Sequence, residues 1–85
     1  MIFKREKLKF KAILGHRYVT KIEAILNEKG VLDTSGKPYS AGMIRQVFNG
    51  YSENFEIEAA IVEATKIQKK YIAKVQKQKS TLLNQ

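Results

Sequence analysis

Four separate stretches of the chain place apolar residues every three or four positions, and three of them end at a glycine or at Asn-Gly. That spacing gives a helix one apolar face, whereas a half-buried strand needs alternation, and no sustained alternation occurs here. An all-α fold follows, a compact bundle of four to five helices with a long last one. Leu8, Phe10, Ala12, Ile13 and Leu14 predict a first helix from Lys4 to about Leu14, stopped by Gly15. Tyr18, Ile22, Ile25 and Leu26 predict a second over about 17–29, stopped by Gly30. Asp, Thr, Ser, Gly and Pro crowd residues 31–39 and mark a loop. Ser40 caps a third, short helix over about 41–49 that carries Ile44, Val47 and Phe48 and stops at Asn49-Gly50. Asn54 caps a fourth, whose stripe Ile57, Ala60, Ile61, Ala64, Ile67, Tyr71 and Val75 runs for more than five turns.

With 85 residues there is room for one core, and the reading is a single domain over 1–79 with its core at about 8–70 and a frayed end at 80–85. No cysteine is present, which removes disulfides, thiolate metal sites and thiol nucleophiles. His16 has no second ligand residue beside it, and Glu53, Glu56, Glu58 and Glu63 stand where the positive end of the fourth helix favours acids. No Ser, His and Asp arrangement and no phosphate-cradling glycine loop is present. The expectation is therefore a chain that is not an enzyme, with no metal, no cofactor and no small-molecule ligand. The longest apolar run is four residues, too short to span a membrane, and Met1-Ile2-Phe3-Lys4 does not read as a signal peptide, so a cytoplasmic, nucleoid-associated location is expected.

The formal net charge of +8 points toward a polyanion, but it is unevenly placed. Residues 1–21 hold seven basic side chains against one acid, net +6. Residues 22–65 hold three against seven, net −4, and residues 66–85 hold six lysines and no acid, net +6. An acidic centre lies between two basic ends. The chemistry suited to reading a sequence sits in that centre. In the third helix Ile44 and Val47 supply the packing side, while Ser40, Ala41, Gly42, Arg45 and Gln46 offer small or hydrogen-bonding groups on the other. Small residues let a helix end approach the major groove, and Arg and Gln suit bidentate contact with guanine and adenine. Tyr39, Ser40 and the helix amides also suit a phosphate.

The run Ser40-x-x-x-Ile44-x-x-Val47-Phe48-Asn49-Gly50 resembles the third helix of lambda-repressor-like helix-turn-helix proteins and the end of the recognition helix in the Lac-repressor group. Residues 18–26 resemble the supporting helix of that family. Residues 54–66, with Glu58-Ala59-Ala60-Ile61, resemble the helix that follows in small helix-turn-helix proteins of Bacteroidetes and phage origin. The resemblance covers about 8–70. It implies that Ser40, Ala41, Gly42, Arg45 and Gln46 face DNA, that Arg17 or Tyr18 meets the backbone, and that Ile22, Leu26, Ile44 and Val47 form the inter-helix core. The chain departs from the family at Glu23, where a small residue is usual, and in its turn, which is about four residues in the family and here runs from Gly30 to Tyr39. That loop either carries Lys37 to the sugar-phosphate backbone or is a solvated hairpin.

The expected function is sequence-specific binding of double-stranded DNA by a small transcriptional regulator of phage or mobile-element origin, reading a pseudo-palindromic site if it forms a homodimer. Two rivals stand beside it: a helical protein-interaction adaptor, and a sequence-indifferent nucleic-acid binder that uses the two basic ends. The apolar face of the last helix among its lysines also describes an amphipathic segment able to lie on an anionic membrane or to pair with another helix, but core packing of its first half and an electrostatic tail for its second are the readings preferred, and no membrane partner is expected.

Overall fold

The computed structural model describes residues 1–83; the last part of the predicted frayed end, residues 84 and 85, lies outside them. Four helices follow in order: α1 Lys4–Leu14, α2 Tyr18–Glu28, α3 Ala41–Phe48 and α4 Phe55–Leu83, with no strand among the described residues. Their boundaries fall where the local chemistry places them. Glu6 accepts the N–H of Phe3 at the start of α1 (2.9 Å), Ser40 Oγ accepts the N–H of Met43 (3.1 Å), and Asn54 Oδ1 accepts that of Ile57 (3.1 Å). At the other ends, Gly30 and Gly50 take positive φ of 68° and 81°. Each is followed by the paired hydrogen bonds of a Schellman stop: Val31 to Leu26 and Gly30 to Asn27, then Tyr51 to Gln46 and Gly50 to Val47.

The helices close on one core, in which Leu14, Ile22, Ile44, Val47, Phe48, Ile57 and Ile61 are fully buried. Each such side chain contributes about 1.5–3 kcal/mol by leaving water. The core also takes in a residue ahead of the first helix. Ile2 is buried, ahead of the first helix, while Leu8 is exposed. The backbone carbonyl of Ile2 rests on Gly50, where a Cβ would come within 2.6 Å of it. The Met1 ammonium adds to this contact by pairing with Glu58 (2.8 Å) in the first turn of α4 and with Glu53 (3.4 Å) just before it. The first residues of the chain are thus fastened to the α3–α4 corner.

At its far end the core stops sooner than the apolar stripe. α4 buries Ile57, Ala60, Ile61, Ala64 and Thr65, and Thr65 satisfies its hydroxyl on the Ile61 carbonyl (2.8 Å). Beyond that point Ile67 and Tyr71 are more than half exposed. The helix itself continues past Ser80, where the sequence places a frayed end, to Leu83. Its 29 residues measure about 43 Å in a molecule 55 Å along its greatest extent. No helix is long and apolar enough to cross a membrane among the described residues.

Candidate nucleic-acid interface

α3 has two chemically distinct sides. Ile44, Val47 and Phe48 are fully buried, and Met43 and Ala41 pack partly against the same core. Gly42, Arg45 and Gln46 are exposed together, as their spacing of three and four on a helix requires. Ala41, expected among them, lies instead toward the core. Gln46 is held in place, since its Oε1 accepts the Ser52 hydroxyl (3.1 Å) and its carbonyl accepts the N–H of Tyr51 (2.9 Å). Asn49 closes the helix by donating its side-chain amide to the Arg45 carbonyl (2.8 Å). The Arg45 side chain forms no ion pair among the described residues.

The loop before α3 is a built turn rather than a loose connector. Asp33 Oδ1 accepts the N–H of Ser35 (2.9 Å), the Ser35 hydroxyl (2.6 Å) and the N–H of Lys37 (3.0 Å). The Asp33 N–H in turn donates to the Lys37 carbonyl (2.7 Å), closing residues 33–37 into a ring, and Gly36 supplies the positive φ of 81°. The Ser35 hydroxyl, with the amides behind it, holds the Asp33 carboxyl below its ordinary 3.8, so it stays ionised with one oxygen committed inside the turn. The turn stands beside the start of α3, and between them runs an open groove of about 600 Å³ lined by Lys37, Tyr39, Ser40, Met43 and Asn54 among others.

Lys37, Tyr39 and Ser40 therefore meet at one groove, while Gly42, Arg45 and Gln46 are exposed on α3. Arg17 and Tyr18 belong to a different end of the helix pair. Arg17 is the exposed residue that opens α2, and Tyr18 is half-buried, its ring stacked on Phe48 in the last turn of α3. Two residues that the sequence did not place at the site take part in the arrangement: Ser52, which orients Gln46, and Asn54, which the sequence marks only as the cap of α4 and which also lines the groove. Ser52 carries no pattern that would mark it, because its role depends on a chain reversal at Gly50. Two basic residues are engaged inside the fold. Lys21 Nζ donates to the Leu14 carbonyl (2.7 Å), closing α1, and Lys29 is ion-paired with Glu63.

No protein-family model, curated protein or solved structure matches this chain.

Proposed function

We propose that the chain binds double-stranded DNA sequence-specifically, with α3 as the recognition helix of a helix-turn-helix whose turn has grown into the ring at 33–37. The observation that carries this reading is Gly42. It has an ordinary helical φ, and a Cβ added there would meet nothing closer than Ser40 Oγ at 3.9 Å. Glycine inside a helix costs about 1 kcal/mol relative to alanine, and nothing within the fold requires it at this position. A backbone that must lie against another surface does require it, and the neighbours on that surface are Arg45 and Gln46, the side chains that pair with guanine and adenine edges. Lys37, Tyr39 and Ser40 would meet the adjoining phosphates, which position the helix without reading sequence. The lysines of the two basic ends add sequence-independent attraction, each phosphate contact contributing about 0.9 to the slope of log affinity against log salt.

The reading includes a small regulator without catalysis or cofactor, acting in the cytoplasm of its host and belonging to a phage or mobile element. An NMR titration with mixed-sequence duplex tests it. Amide shifts concentrated in residues 33–50 support it. Shifts confined to residues 66–83 would favour the sequence-indifferent binder, and no shift at low salt would favour the protein-interaction adaptor.

A further inference from the structure

Just past α3 the chain reverses and brings two residues back to one side chain. Gly50, with its positive φ of 81°, lets the N–H of Tyr51 donate to the Gln46 carbonyl (2.9 Å), and Ser52 then donates its hydroxyl to Gln46 Oε1 (3.1 Å). Gln46 is held at its backbone and at its side chain together. Ser52 is half-buried and lies between two fixed points, Gly50 against the Ile2 carbonyl and Asn54 at the cap of α4. Arg45, also exposed on α3, is different: no ion pair or side-chain hydrogen bond holds it among the described residues. An exposed glutamine without such a partner samples many rotamers and can turn either end of its amide outward. A hydroxyl donating to the oxygen removes that choice.

An amide oxygen accepts through two lone pairs, and its nitrogen carries two donors. With Ser52 on one lone pair, Gln46 keeps one acceptor site and both N–H groups. In the major groove adenine presents the complement, a donor at N6 beside an acceptor at N7, whereas guanine presents acceptors at both N7 and O6 and cytosine a donor alone. Adenine therefore uses both halves of the amide. We propose that Ser52 is a positioning residue that commits Gln46 to adenine: the free lone pair of Oε1 accepts from N6–H while one N–H donates to N7, and Arg45 is left to adapt to its own base pair. This inference rests on the proposed function, since it takes α3 to lie in the major groove. Because the glutamine is ordered on folding, less of that cost falls on binding, and the discrimination at its base pair is sharper for it.

The first test needs no DNA. Nitrogen relaxation of the Gln46 side-chain amide in the free protein is expected to show an ordered group in the wild type and in Ser52→Thr, which keeps the hydroxyl, and a mobile one in Ser52→Ala. An amide equally mobile in all three overturns the proposal, whatever the protein binds. The second test is competition between a selected duplex and its single-base-pair variants. Ser52→Ala should lower the preference for one adenine about threefold to tenfold, the worth of a hydrogen bond, and leave the other positions unchanged. Ser52→Thr should keep that preference, and in a Gln46→Ala background Ser52→Ala should change nothing further. Guanine preferred at that pair, a loss spread over every position, or a loss that persists without Gln46 overturns the proposal, since Ser52 would then act through the fold alone. Undiminished discrimination by Ser52→Ala overturns it while leaving the proposed function in place. A wild-type chain with an ordered Gln46 amide that prefers no duplex over its scrambled counterpart overturns the proposed function and this inference with it.

Discussion

The ring of Tyr18, at the start of α2, lies on the ring of Phe48, at the end of α3, with centroids 4.0 Å apart and planes inclined by 20°. This stack joins two helices separated in sequence by the 33–37 turn, so it sets how α3 is presented. Phe48 is fully buried and Tyr18 half-buried. Phe48→Ala should therefore cost about 3–5 kcal/mol, as expected for an aromatic deleted from a packed core. Tyr18→Phe keeps the ring and should cost less than about 1 kcal/mol. Urea denaturation of the two variants checks the order. Equal losses would mean that the Tyr18 hydroxyl, and not the stack, carries the contact.

Gly50 joins a positive φ of 81° to direct contact with the Ile2 carbonyl, whereas Gly36 has the same φ and open space around it. Both alanine variants meet the backbone penalty of about 1–2 kcal/mol, but only Gly50→Ala must also displace Ile2 from the core. Thermal unfolding is expected to rank Gly50→Ala as clearly the less stable of the two. Similar melting temperatures would show that the first residues of the chain move aside freely.

The Met1 ammonium is held above its ordinary value of 8.0, chiefly by its hydrogen bond to Glu58. A raised value means that the pairing stabilises the fold fully below pH 8 and that this contribution is lost as pH rises through the folded value. Acetylating the α-amino group removes the charge, so the acetylated chain should lack this alkaline loss when the two are compared by denaturation across that range. Asp33 behaves with the opposite sign. Its lowered value gives a contribution present above its ordinary 3.8 and lost as pH falls through the folded value, visible as loss of protection at the Ser35 and Lys37 amides.

Gly42→Ala separates folding from function. The substitution meets no steric obstacle and should raise stability by about 0.5–1 kcal/mol, while weakening binding to a selected duplex if the helix backbone approaches DNA at this point. A stabilised variant with unchanged affinity would remove the functional reason for the glycine.

These particulars also show where sequence was sufficient. Ser40, Asn54, Gly30 and Gly50 act through their immediate neighbours, so caps and stops were legible residue by residue. The two sides of α3 were legible for the same reason, through the three-and-four spacing of Ile44, Val47 and Phe48. Ile2 was not, because its burial depends on a glycine 48 positions away. The ring at 33–37 was read as a loop because three hydrogen bonds converge on one Asp33 oxygen, a geometry that composition does not specify. The apolar stripe of α4 was legible as a helix face. Where its cover ends was not, since that depends on how far the other helices reach along it.

The central claim is that Arg45 and Gln46 choose the sequence while the lysines of the basic ends supply attraction. The direct measurement is the ratio of affinities for a duplex selected from a random pool and for its scrambled counterpart, taken at one salt concentration. Arg45→Ala and Gln46→Ala should each lower this ratio, by about 1–3 kcal/mol for a lost bidentate contact. Lys-to-Gln changes at 66, 69, 70 and 77 should weaken both duplexes together and leave the ratio in place. A ratio that survives the α3 substitutions and falls with the lysines would contradict the account.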